Sequence, residues 1–454
     1  MKELDLTQGS VPKVLLQFAV PFLIANVLQA LYGGADLFVV GQYDDSASVA
    51  AVAIGSQVMQ TITGIILGIT TGTTVLIAIA TGAKDNRKVA FTIGSSVWLF
   101  SITGVVLTLV MVLFHSRIAE LMHTPVEAMV DTKNYILVCS LGILFIVGYN
   151  VVCGILRGLG DSKTPLYFVG LACVINIVLD FILVGYFHWG ATGAAIATVT
   201  AQGVSFGIAL WFLYRHGFHF DFSRKDIRLN RNLSKKILVL GAPIALQDAL
   251  INVSFLIITV IVNQMGVIAS ASLGVVEKII VFAMLPPMAI SSAVATMTAQ
   301  NYGAGLIKRM NKCLASGIGI ALVFGVSVCV YSQFLPETLT AFFTKDAAVV
   351  AMAADYLRGD SIDCIEVSFV FCINSYFSGQ GNSLFPMIHS LIATFLFRIP
   401  LSYWFSQIDS SSLFIMGFAP PISTVVSLLI CIWYLRYTQR KLYLRGTMMP
   451  AMSN

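Results

Sequence analysis

An all-α integral membrane protein is the fold class the sequence predicts: twelve transmembrane helices in two six-helix bundles related by a parallel internal repeat, V-shaped with a central cleft. Three observations predict it. The chain of 454 residues is 57% hydrophobic and only 11% charged, with a mean hydropathy of +0.86, far beyond what a soluble fold needs for its core. Apolar segments of roughly 20 residues or more recur along its whole length, about what a helix needs to cross a hydrocarbon layer of about 30 Å. The two halves, finally, resemble each other at a separation of 221 to 222 residues.

Polar and Gly/Pro-rich punctuation divides the chain into spans at 14–40, 48–81, 89–114, 132–156, 165–187, 192–214, 236–262, 270–299, 313–334, 354–377, 386–406 and 413–435. The first follows MKELDLTQGSVPK, which carries acids and leads into an apolar run too long for a signal peptide, so no cleaved targeting segment is expected. The second is long for one crossing and should tilt or project beyond the bilayer. The fourth and fifth flank GLGDSKTP, and the tenth and eleventh flank GQGNSLFP. These two turns carry the repeat: Gly158, Gly160, Ser162 and Pro165 align with Gly379, Gly381, Ser383 and Pro386. Elsewhere Pro21 aligns with Pro243, Gly82-Ala83 with Gly303-Ala304, and Arg87-Lys88 with Lys308-Arg309.

Because each copy holds an even number of spans, both enter the membrane in the same direction, as in transporters built from parallel repeats. The expected domains are an N-terminal lobe at 1–214, a basic cytoplasmic linker at 215–235 and a C-terminal lobe at 236–454. With both termini in the cytoplasm, 21 of the 27 Lys and Arg residues fall on the inner side. Four fall outside (Arg117, Lys133, Lys345, Arg358) and two, Lys278 and Arg398, lie within spans. The positive-inside rule therefore favours a multi-pass plasma-membrane protein with cytoplasmic termini. Basic loops of this kind hold topology, and the net charge of +5 asks for no nucleic-acid partner.

Ionisable side chains inside spans are costly, at least about 2.5 to 3.5 kcal/mol each on insertion scales. In the first half two acids lie deep, Asp36 on the first span and Asp180 on the fifth, and both sit beyond the midplane. Asn176, four residues before Asp180, shares its helical face. Two carboxylates in one poorly solvated site cannot both ionise cheaply, so the pair is expected to take up a proton or a small cation. The competing reading is that each acid is merely a satisfied tertiary hydrogen bonder. The second half carries Asp248, Glu277, Lys278, Asp363, Glu366 and Arg398 within spans, a possible cation or substrate site, or a set in which Arg398 simply neutralises an acid. Six acids against two bases leave a net charge of −4 inside the membrane, which suits cationic cargo.

Other chemistries find no support. GLGDSK lacks the spacing of a phosphate-binding loop, and its repeat copy lacks the lysine. The histidines form no metal or nucleophile motif with a carboxylate, so no enzyme and no metal are expected. The eight cysteines lie in or at the ends of apolar segments as small packing residues.

The twelve spans, the shared turn, and the segments ADLFVVGQ, CGILRGLGDSKTP and INIVLDFILVGYFHWGATGAAIAT together resemble the multidrug and toxic compound extrusion family, in its DinF- and MepA-like branch. The resemblance implies a monomeric efflux antiporter that exports organic cations or related amphipathic compounds against protons or sodium ions, without a cofactor. Residue by residue, Asp36 looks like the family's helix 1 acid, Asp180 the helix 5 acid, Asn176 its partner, and Thr198 the helix 6 hydroxyl of the same polar cluster. The glutamate that another branch carries on helix 7 has no clear counterpart here. A flippase for lipid-linked precursors is the alternative, and a cation channel a more distant one.

Overall fold

The computed structural model of the chain describes residues 4–408 and 412–447. Lys2, counted among the inner cations, and the end of the second expected lobe, 448–454, lie outside the described residues. All the regular structure among the described residues is helical. In order these are α1 (Val11–Tyr43), α2 (Ser46–Gly82), α3 (Asn86–Leu121), α4 (Met129–Leu141), α5 (Ile143–Leu159), α6 (Lys163–Asp180) and α7 (Gly190–His216). They continue with α8 (Arg231–Asn263), α9 (Val267–Gly303), α10 (Ile307–Phe334), the short α11 (Pro336–Thr340), α12 (Ala347–Asp360) and α13 (Asp363–Gly379). The last are α14 (Leu384–Ile392), α15 (Ile399–Ile408) and α16 (Ala419–Thr447).

Each expected span has its helix. Ten helical stretches are long and apolar enough to cross a membrane, and the pair α4–α5, bent by 49° at Gly142, makes an eleventh. The twelfth, α12–α13, carries Asp355, Arg358, Asp360, Asp363 and Glu366, which is why apolarity alone does not mark it. Its break at 361–362 falls about one repeat after the bend at Gly142. Helix α2 is 37 residues long, roughly 55 Å at 1.5 Å per residue, and so it exceeds the bilayer as its sequence suggested.

Two helices that start one repeat apart widen into π turns at different depths, α6 running into Phe181–Tyr186 and α14 into Ala393–Arg398. A π turn shifts the register of the side chains beyond it and frees backbone groups, so it recurs at functional positions.

By packing, the chain forms two compact units: Met1–Ala249 with Thr296–Met310 and Gly379–Gly381, and Leu250–Ala295 with Asn311–Ser378 and Asn382–Asn454. In the first unit α1 packs on α6, α6 on α7, α4 on α7, and α2 on both α4 and α5. Close approach is set by glycine. A Cβ at Gly154 would stand 2.4 Å from Thr70 Cγ2, and one at Gly158 2.9 Å from Ile77. In the space so gained the Thr74 hydroxyl donates to the Gly154 carbonyl at 3.0 Å, a small-residue seam of the kind membrane helices use in place of a hydrophobic drive.

In the second unit the buried His389 ring lies between Ser427 Oγ and Asn374 Oδ1, each at 2.7 Å. It is a satisfied core histidine on the Phe385, Phe377 and Tyr434 aromatic stack.

Gly55 on α2 fixes a residue that matters below. A Cβ there would lie 2.3 Å from Cδ1 of the buried Tyr135 ring. Gly55→Val is expected to displace that ring at a cost of about 1–3 kcal/mol, read as a lowered thermal midpoint of the detergent-purified protein. An unchanged midpoint would mean that Tyr135 has room to move.

Candidate functional site

The first unit brings Asp36, Asn176, Asp180 and Thr198 together. Asp36 is 4% exposed although it sits on a helix whose neighbours face lipid, and Asn176 and Asp180 are fully buried. The contacts form a relay: Asn176 Nδ2 donates to Thr198 Oγ1 at 3.4 Å, and the Thr198 hydroxyl donates to Asp36 Oδ2 at 3.1 Å. The Asp180 and Asn176 side chains also lie within interaction range of the Asp36 carboxyl. Among the described residues no donor makes a well-formed hydrogen bond to Asp36 Oδ1 or to either oxygen of Asp180. A buried oxygen left in this condition costs about 1–3 kcal/mol, and more if it is charged. A proton shared between the facing carboxyls, or a small cation held by them, would supply what is missing.

Four helices build the cluster, each with two residues four apart. Asn176 and Asp180 on α6 and Thr198 and Gln202 on α7 are two such pairs. Tyr32 and Asp36 on α1, and Tyr135 and Cys139 on α4, are the others, and all of these side chains cluster around Asp36 or Thr198. The i, i+4 spacing stacks two side chains on one helical face. Asp180 is the last α-helical residue before the π turn. Sequence reasoning missed Tyr32, Tyr135, Cys139 and Gln202. The signal that could have found them is the i, i+4 repetition of polar groups in otherwise apolar spans, since Tyr32 and Gln202 stand in that relation to residues already singled out. Among the described residues the Tyr32 hydroxyl and Gln202 Oε1 are buried without a well-formed hydrogen bond, although Gln202 and Thr198 lie within interaction range of Tyr32.

The second-half charges do not form one group. Asp248 lies on α8 in the first unit. In the second unit Arg398, the last residue of its π turn, faces Glu277, Asp360 and Asp363, and its guanidinium stands 4.5 Å from the Phe255 ring centroid. Asp360, which sequence reading passed over, is 2% exposed and belongs to this cluster. Glu366 lies within electrostatic reach of Asp363. Asp363 Oδ1, Glu366 Oε2 and Arg398 Nε have no hydrogen-bond partner. Two of the four cations expected outside are paired, Lys133 with Glu120 at 3.1 Å and Arg358 with Glu337 at 2.8 Å. Among the described residues no group of three or more His, Cys, Asp or Glu side chains has the geometry of a metal site.

Known proteins resemble this chain in both sequence and fold. The profile of the MatE family matches residues 21–182 and 243–404. These stretches begin and end 222 residues apart (243 against 21, 404 against 182), so the repeat read from the turns is a repeat of the family unit itself. The chain is 29% identical over 407 residues to the probable multidrug resistance protein YpnP of Bacillus subtilis (strain 168), covering 89% of this chain and 91% of that one. It is 26% identical over 379 residues to the multidrug export protein MepA of Staphylococcus aureus (strain NCTC 8325 / PS 47), covering 81% and 82%. Its fold matches the crystal structure of MATE in complex with MaL6 with a TM-score of 0.92 over 98% of this chain and 99% of that one, at 23% identity.

Two variants probe the clusters. Asp36→Asn keeps the side-chain shape and adds a donor beside Asp180, so the thermal midpoint in detergent is expected to rise by about 2 °C or more; a fall would show that the carboxyls are already satisfied. Arg398→Met leaves several acids without their cation and is expected to cost about 3 kcal/mol or more in chemical denaturation. A neutral result would place those acids in contact with water instead.

Proposed function

The chain belongs to the multidrug and toxic compound extrusion family, whose members are secondary transporters and not enzymes, and from that premise we propose that it exports organic cations or related amphipathic compounds by antiport with protons or sodium ions. It is a multi-pass membrane protein of the multidrug efflux kind with small-molecule substrates. In the proposed topology both termini are cytoplasmic, the basic loops face inward, and a single chain transports without a cofactor other than the coupling ion.

The observation that carries the proposal is the donor shortage at Asp36 and Asp180. A proton or sodium ion entering from outside fills it and completes the Asn176, Thr198 and Asp36 relay, which changes how α1 and α6 pack against each other. Bound cargo of the same charge competes for the same carboxyls, so release of one accompanies loading of the other. The Gly33-Gly34 pair, where an added Cβ would meet nothing within 4 Å, leaves α1 free to bend next to Asp36. The Glu277, Asp360, Asp363 and Arg398 cluster sets three carboxyls around one guanidinium and supports a structural or secondary cation role in the other unit. The net acidity of the interior favours cationic cargo over the pyrophosphate of a lipid-linked precursor.

Reconstituted protein is expected to move a fluorescent cation only when a proton or sodium gradient is imposed. Asp36→Asn is expected to lower that rate at least tenfold while leaving folded protein. Export that is equally fast without any gradient, or undiminished in the variant, would remove the coupling role from Asp36.

A further inference from the structure

At the end of the first unit that carries the basic loops, segments from the two sequence halves are fastened crosswise. Residues 4–9, just before α1, lie against the start of α10. Arg309 holds them, donating from Nε to the Leu6 carbonyl at 3.3 Å, from Nη1 to Gly9 at 2.7 Å and from Nη2 to Gln8. Asn301 Nδ2 donates to the same Leu6 carbonyl at 3.1 Å, and Leu4 N–H donates to the Gly160 carbonyl at 3.2 Å. Leu6 is fully buried under this strap.

The corresponding segment before α8 does the same to the other half. The Asp226 carbonyl sits where a Cβ on Gly94 of α3 would be 1.9 Å away, and the Arg228 guanidinium stands 5.2 Å from the Phe91 ring centroid. Helices α3 and α10 begin 221 residues apart, at Asn86 and Ile307, so the two straps grip equivalent helices.

Between the straps the halves meet through reciprocal glycines. A Cβ on Gly82 would lie 1.9 Å from the Gln300 carbonyl, and one on Gly303 would lie 1.9 Å from the Ile79 carbonyl. Ile79 and Gln300, like Gly82 and Gly303, are one repeat apart. The contact is therefore self-complementary, as at a two-fold axis. Gln300 Nε2 also donates to the Gly158 carbonyl at 3.1 Å. This is where the repeat motifs Gly82-Ala83, Gly303-Ala304 and the GLGD turn converge, and the coupling cluster accounts for none of them.

We propose that this crossed fastening is a gate. Strap 4–9 leaves α10, and 226–228 leaves α3, each time the transporter opens at its basic end; Arg309 is the positioning residue that sets how often the first strap is released. Its bonds are to backbone carbonyls, which any strap sequence offers, so the hold depends on the guanidinium fork and not on a matched partner side chain. Release exposes those carbonyls to water, which solvates them, so the fastening is reversible. The gate rests on the antiport reading above.

The test uses the full-length protein in proteoliposomes. All eight native cysteines are buried. A Leu6→Cys thiol is covered while the strap is down and reacts with a membrane-impermeant maleimide only when it lifts. Adding Arg309→Ala is expected to speed that labelling about tenfold or more, with Arg309→Lys intermediate. In a second arm that retains Arg309, Gln8→Cys and Lys308→Cys are joined by a flexible bis-maleimide. The joined protein is expected to lose gradient-driven transport while still binding a fluorescent cation. Full-rate transport by the joined protein overturns the gate whatever the labelling shows, and so does labelling that Arg309→Ala leaves within twofold. If the unjoined protein moves no cation under any gradient, the antiport reading fails, and the labelling ratio still decides whether Arg309 holds the strap.

Discussion

Asp36 and Asp180 bring four carboxyl oxygens into the membrane, and among the described residues one donor, the Thr198 hydroxyl, makes a well-formed hydrogen bond to them. The first unit is organised around that shortage. A carboxylate in water has donors to spare, and one in a protein core usually has been given them. Here the supply stops short, and each added polar group, Asn176, Tyr32 or Gln202, leaves an unmatched atom of its own. In the proposed cycle a site of this kind has two inexpensive states, one completed by a coupling ion and one by a positively charged substrate. In that cycle stability is given up locally so that occupancy can decide conformation.

Holding such a site open requires a scaffold that does not collapse on it. The helices supply their polar groups in pairs four residues apart, which fixes depth as well as face. The π turn after Asp180 alters the helix where the carboxyl needs room. Gly55, Gly154 and Gly158 let α2 approach α4 and α5 closely enough to bury Tyr135 and the Thr74 hydroxyl. The second unit meets its own intramembrane charges differently, with Arg398 among Glu277, Asp360 and Asp363. The same repeated helices thus carry two carboxyls without a cation in one unit and three carboxyls around a single guanidinium in the other. Asp36 itself has an apolar counterpart, Ile258, one repeat later.

Much of this was legible in the residues. Apolar length gives the helices, because a helix satisfies its own backbone in lipid, and the turns GLGDSKTP and GQGNSLFP give the repeat. Asp36 and Asp180 stood out because charge in a span is expensive. Tyr32, Tyr135, Cys139 and Gln202 did not, since a tyrosine or cysteine in an apolar span is ordinarily packing, and only the meeting of four helices shows otherwise. Asp360 escaped notice because it follows Asp355 and Arg358, which pair at the surface in the last turns of α12, and composition does not tell such charges from a buried one. The π turns and the reciprocal contact of Gly82 and Gly303 were beyond sequence reasoning. They depend on backbone geometry and on which helices become neighbours, not on any local preference.

The crossed straps and the carboxyl pair lie at different depths, and a transport cycle that joins them needs the coupling ion and the cargo to exclude each other at Asp36 and Asp180. The most direct measurement is calorimetric titration of the purified protein with a permanently charged phosphonium cation, in buffers of different ionisation enthalpy, with and without sodium. The account requires that binding displace a proton, seen as a buffer-dependent heat, or a sodium ion, seen as an affinity that falls with sodium, and that Asp180→Asn abolish the displacement. Phosphonium binding that displaces neither ion in the native protein would contradict it.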